Sequence, residues 1–175
     1  MKREILFQGK TVKDGVWIDG FYVQHRSYTG GFSASDFSGA LKHYIMRDGN
    51  CPWGHEPPWV PTEVDPKTVR QFTGYCDLDS RRIFENDILQ VNHDDDAGYS
   101  LMVVAFDNGK WVVQTYSNID FMMEYGWSDK EKPVDSLALD DLCVFKNRCD
   151  CSVVGNIYDL PVVNQTPKIQ MEVDL

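Results

Sequence analysis

Five cysteines and four histidines are the residues of this chain with the chemistry to bind a transition metal or attack an electrophile, and their spacing decides whether they act together. Cys51, Cys76, Cys143, Cys149 and Cys151 form an odd set without a C-x-x-C pair, and the N-terminus lacks the apolar stretch of an export signal. That combination predicts reduced thiols and no disulfide framework. The nearest approach to a zinc set is Cys51 with His55 and the distant Cys149 and Cys151. The C-x-C pair is expected to divide its sulfurs between the two sides of its strand, which leaves the set short of ligands. His93 beside Asp94, Asp95 and Asp96 lacks the interleaved carboxylates and the glycine of a calcium loop and reads as a polar hairpin tip. There is no G-x-S-x-G elbow, Walker loop, dinucleotide fingerprint or H-E-x-x-H helix, and His25, His43, His55 and His93 are scattered. No catalytic, cofactor-binding or metal-ligating residue is assigned on these grounds; an enzyme without a recognisable motif stands as an alternative.

Side chains suited to recognition are easier to find. The stretch from Asn50 to Pro61 holds four prolines together with Trp53 and Trp59. Aromatic rings on a stiffened segment lose little freedom on binding and make good anchors; the same rings would equally well cover a core. Charge gives a second signal, with 17 Lys and Arg against 27 Asp and Glu for a net charge of -10. Up to Asp87 the signs nearly balance, 11 basic to 12 acidic, whereas beyond it 6 basic residues face 15 acidic ones. A chain with an isoelectric point near 4.7 repels a phosphate backbone, which excludes nonspecific nucleic-acid binding. Asp140 and Asp141 mark the acidic part as a candidate contact surface, either as solvating charge or as a mimic of nucleic acid aimed at a basic partner. No run of about 20 apolar residues is present to span a bilayer. The expectation is a cytoplasmic protein without cofactor that meets another protein; a homo-oligomer is compatible with it.

The elements that must position these residues are mostly strands. Ile5 to Gln8 and Val16 to Val23 alternate as a first hairpin would, and His43 to Met46 is a short strand closed by Asp48-Gly49. Residues 27–39, rich in Gly, Ser and Thr, and residues 50–61, rich in Pro, are expected to be long irregular loops. Thr68 to Thr73 reads as a strand broken by Gly74; Asp77 to Ser80 as a polar turn; Arg82 to Phe84, Asp87 to Val91, Leu101 to Phe106, Trp111 to Thr115 and Val153 to Tyr158 as further strands. Asn108-Gly109 between two strand patterns is the strongest short hairpin signal in the chain, because both positions tolerate positive φ. Asp120 to Trp127 is a candidate helical turn, and Asp135-Ser136 is expected to cap a short helix reaching Leu142. Length and composition suit one mostly β domain over residues 1–161, with residues 162–175 as a C-terminal tail.

Several of these pieces resemble one known family. Arg3 to Lys10, Gly15-Val16-Trp17, Gly20 to Val23, His43-Tyr44-Ile45, Val69-Arg70-Gln71-Phe72-Thr73-Gly74, Ile83-Phe84-Glu85-Asn86-Asp87-Ile88-Leu89 and Val153 to Pro161 look like YopX-family proteins, in family order. The resemblance implies a phage or prophage protein located in the cytoplasm of a bacterial host, with a mostly β fold that contains a small SH3-like barrel and at most short helices. It brings no catalytic residue with it. The chain departs from the family pattern at Asn86, where glycine is usual, and at Asp79-Ser80; asparagine tolerates left-handed backbone, so the bend before Asp87 is expected to survive. Gly74 and Gly155 suit bends, Ile88 and Ile157 suit core, and Asp87 suits a bond to the amides of a neighbouring turn. The resulting expectation is a protein-interaction module with Trp53 and Trp59 as contact residues and a host or phage protein as partner.

Overall fold

The alternating runs become thirteen strands and one short helix in the computed structural model, which describes residues 4–26, 39–48, 59–93, 98–128, 130–145 and 148–160. In chain order these are β1 (Phe7–Lys10), β2 (Trp17–Arg26), β3 (Leu41–Asp48), β4 (Trp59–Glu63), β5 (Arg70–Cys76), β6 (Arg82–Phe84), β7 (Asp87–Asn92), β8 (Tyr99–Asp107), β9 (Lys110–Thr115), α1 (Ile119–Tyr125), β10 (Asp135–Ala138), β11 (Cys143–Phe145), β12 (Arg148–Cys149) and β13 (Ser152–Asn156). They form two sheets. The first runs β11-β12-β5-β1-β2-β3-β4 with β6 paired to β5, and the second runs β10-β9-β8-β7-β13. Among the described residues every strand pairing is antiparallel except that of β12 with β5, where Arg148 lies opposite Cys76.

Among the described residues neither sheet closes into the expected barrel. The second sheet ends in β10 on one side and β13 on the other without the two pairing, so the described residues form a mostly β structure of two sheets. The hairpin at Asp107–Lys110 is as the Asn-Gly pair requires: Asn108 and Gly109 take φ of 47° and 82°, and Phe106 lies opposite Trp111. A two-residue loop with both centres at positive φ matches the twist of the flanking strands.

Several local expectations are corrected. Gly74 does not end its strand; β5 continues to Cys76 through a register shift between Phe72 and Cys76. Residues 59–61 belong to β4 and not to a loop, because β4 is an end strand of its sheet and an edge tolerates the donor that Pro61 lacks. Asp135–Ala138 is a strand paired with β9; only Leu139–Leu142 turns helically, as a 3-10 segment. Cys149 and Cys151 share one core cluster, since alternation in extended chain returns to the same face at every second residue.

That alternation also explains why the second sheet is buried on both faces. Leu89, Val104 and Val113 point with Ile83, Leu139, Cys149 and Cys151 into one cluster. Ile88, Leu101 and Val103 point the other way, under Tyr116, Ile119 and Met122 of the α1 region, with half-buried Ile157 beside them. The first sheet carries two smaller clusters, Leu6 with Phe72 and Phe84, and Ile18 with Ile45 and Val64. The chain passes from one sheet to the other at Glu85-Asn86, where Asn86 adopts φ of 64° and donates its backbone N–H to Val104 at 2.8 Å. The bend expected of asparagine is therefore present.

Candidate functional site

Two surfaces concentrate side chains able to act on another molecule. The first is the outer face of β2, β3 and β4. Register places Phe21 opposite Met46 and Val23 opposite Tyr44, and Met46 opposite Pro61 with Tyr44 opposite Glu63. The other face carries Ile18 of β2, Ile45 of β3 and Val64, the residue after β4, into the core, so Phe21 and Val23 stay outside. Phe21 is 52% exposed and Trp59 55% exposed, yet their rings meet with centroids 5.4 Å apart. Contact between two exposed rings keeps each in place, a preorganisation that lowers the ordering cost of binding. Trp59 thus lies exposed on the outer face; Trp53, like Cys51 and His55, lies outside the described residues, as do Asp94, Asp95 and Asp96. The alternation of Val16 to Val23 does not say which side faces out, so the sequence does not single out Phe21.

Asp140 and Asp141 sit in the 3-10 segment and are both exposed. Asp140 accepts a hydrogen bond from the Tyr75 hydroxyl, and this bond, aided by burial, holds the phenol well above its usual range. Asp140 is thus tied to β5, and β1, β2 and β3 lie between β5 and Trp59's strand in the sheet order. Trp59 and the pair Asp140 and Asp141 do not form one site. The thiols are equally local: burial pushes Cys143 up, and a hydrogen bond to Cys151 with burial pushes Cys149 up as well, so these are poor nucleophiles.

The second surface is a cleft of about 330 Å³ between the sheets. Gln8 of β1, Arg70 of β5 and Arg82 and Phe84 of β6 line it from one sheet, Asp87 and Val153 to Asn156 from the other, with Arg81 at its edge. Arg70 and Asp87 form an ion pair whose side chains are 7% and 3% exposed. Arg70 also donates to Gln8 Oε1 at 2.8 Å and lies between two rings, its guanidinium carbon 4.3 Å from the Trp17 centroid and 5.3 Å from that of Phe84. Asp87 accepts from the Phe84 N–H at 2.7 Å, the bond to a neighbouring turn expected of it. Burial lifts the Asp87 carboxyl to about 6, against the downward pull of Arg70.

A second buried carboxylate backs the cleft. Asp77 accepts from the N–H of Arg81 at 2.8 Å and from that of Val153 at 3.1 Å, fastening the β5–β6 turn to β13. In the sequence Asp77 reads as a polar turn residue and Arg70 only as part of a motif; a charged residue at an alternation position inside a strand pattern is the available sign. The cleft is nevertheless where three of the motifs singled out in the sequence converge, those beginning at Val69, Ile83 and Val153.

A protein-family model described as YopX protein matches residues 54–163, a segment that includes Trp59, Arg70, Asp87, Asp140 and β13 but not Phe21. No curated protein matches the chain.

Proposed function

We propose that this chain, which belongs to the YopX family, is a non-catalytic phage- or prophage-borne protein that binds a host or phage protein through the outer face of β2, β3 and β4. The observation that carries the reading is the pair Phe21 and Trp59, both more than half exposed and in ring contact, beside Val23 and Pro61. Apolar side chains gathered on one exposed face mark interaction surfaces more often than singly scattered ones. Truncating a central aromatic anchor typically costs 2 kcal/mol or more, about 30-fold in affinity.

The alternative is acidic mimicry, favoured by the exposure of Asp107, Asp120, Glu124, Asp135, Asp140, Asp141 and Asp150 on the second half. The two readings separate in one experiment on a partner captured by the full chain from host extract. Phe21→Ala and Trp59→Ala should each weaken the complex at least tenfold, while Asp140→Lys with Asp141→Lys changes it little and the association rate is flat with salt. A complex indifferent to both aromatics, lost on charge reversal and slowed steeply by salt would overturn the proposal in favour of mimicry.

A further inference from the structure

The arginines of the inter-sheet cleft are not explained by binding through Phe21 and Trp59, with which the cleft shares no residue. Three guanidinium groups line about 330 Å³ of space in a chain of net charge -10, and Asp87 is the one carboxylate among the lining residues. Their partners do not account for them equally. Arg70 is neutralised by Asp87, yet its Nε has no hydrogen-bond partner among the described residues. Arg82 reaches Asp19 at 3.3 Å and Glu4 at 3.4 Å while 44% exposed, the kind of surface pairing that contributes little. Arg81 donates to the Val153 carbonyl at 3.4 Å, and among the described residues no carboxylate lies within ion-pair distance of it.

Two guanidinium forks are therefore available at one mouth, on a floor fixed by a third. Arg70 cannot swing away, held as it is by Asp87, Gln8, Trp17 and Phe84. Opposite, the β13 backbone bends between Val153 and Gly155, and a Cβ added at Gly155 would meet nothing within 4 Å, so the wall is open at that point. Planar forks match the oxygens of phosphate two at a time, and a phosphate offers enough oxygens to engage Arg81 and Arg82 together once Arg82 exchanges its long, exposed contacts with Asp19 and Glu4. The volume is at the lower end of small-molecule sites.

We propose that this cleft binds the dianionic phosphate group of a small phosphorylated molecule, with Arg81 and Arg82 as the forks that grip it and Arg70 as the fixed cation behind them. The test titrates the full chain with inorganic phosphate and with glycerol phosphate at constant ionic strength, reading backbone amide shifts by NMR, with chloride and acetate as monoanion controls. Saturable binding is expected, with shifts concentrated at Arg81, Gly155 and Asn156. Arg81→Gln and Arg82→Gln should each weaken it at least tenfold while leaving the unfolding midpoint near that of the wild type, as both side chains are exposed. Equal response to chloride, or unchanged binding in both variants, overturns the proposal. Tight binding of a phosphoserine peptide by the same arginines, with no saturation by either small probe, overturns it in favour of a phosphorylated protein ligand.

Discussion

Truncation of Asp87 tests what joins the two sheets. Asp87→Ala removes an acceptor from two buried donors at once, the Arg70 guanidinium and the Phe84 N–H. Removing one member of a buried ion pair costs about 3–5 kcal/mol because the other charge is left uncompensated, and a buried N–H without partner adds about 1–3 kcal/mol. The loss is reduced because Arg70 keeps Gln8 and its place between Trp17 and Phe84. The expected net cost is about 4 kcal/mol, a large share of the roughly 5–15 kcal/mol that holds a typical domain. Urea unfolding with an unchanged m-value measures it. Replacing both members, as Arg70→Met with Asp87→Leu, should recover most of the loss, since a buried pair exchanged for apolar groups of similar volume is often neutral. A cost below about 1 kcal/mol for Asp87→Ala would refute the latch, as would a double variant whose loss is simply the sum of the two singles.

Two further outcomes follow from the same geometry. Burial raises the Asp87 carboxyl from its ordinary 3.8 to about 6, so the folded state holds this proton more tightly than the unfolded one; the stabilisation is complete below about pH 4 and is lost as pH rises through 6, roughly 3 kcal/mol in all. Protonation is not truncation, because the neutral carboxyl keeps both oxygens in place; stability curves of wild type and Asp87→Ala between pH 4 and 7.5 should converge as pH rises by about that amount, and parallel curves would contradict it. Gly20→Ala should destabilise by at least about 2 kcal/mol in thermal or urea unfolding, as its Cβ would lie 2.3 Å from the Met46 carbonyl oxygen and 2.9 Å from Ile45 Cγ2; a neutral result would show that β2 and β3 are free to separate there.

What the sequence discloses is mostly local. The Asn108-Gly109 turn, the left-handed Asn86 and the alternation of β7, β8 and β9 depend on residues close in the chain, and all are legible. Pairings between distant segments are not: nothing in Arg148-Cys149 announces a parallel partner at Cys76, and Asp135 carries a good capping side chain but is claimed by β9. The capping preference amounts to about 1 kcal/mol, less than the ladder and the packing that a strand gains beside Val112 and Val113. The sequence leaves Trp59 open between an exposed anchor and a core cover, and both its exposure and its contact with Phe21 depend on the β2-β3-β4 register. The cleft was legible only as three separate motifs, because Arg70 and Asp87 are brought together by the crossing between sheets.

The placement of β13 governs the order in which this molecule can be made. Among the described residues the free edge of β7 is covered by β13, although β7 is translated long before it. A meander of β7, β8 and β9 formed from these neighbouring segments before β13 is made leaves the Asp87–Asn92 edge with its amides and carbonyls open. An open strand edge is a template for pairing with another chain, and such species are prone to aggregate during synthesis. Polypeptides released early, before Ser152 emerges, therefore carry an adhesive edge that the finished protein does not, and the last strand acts as the built-in seal that ends the vulnerable interval.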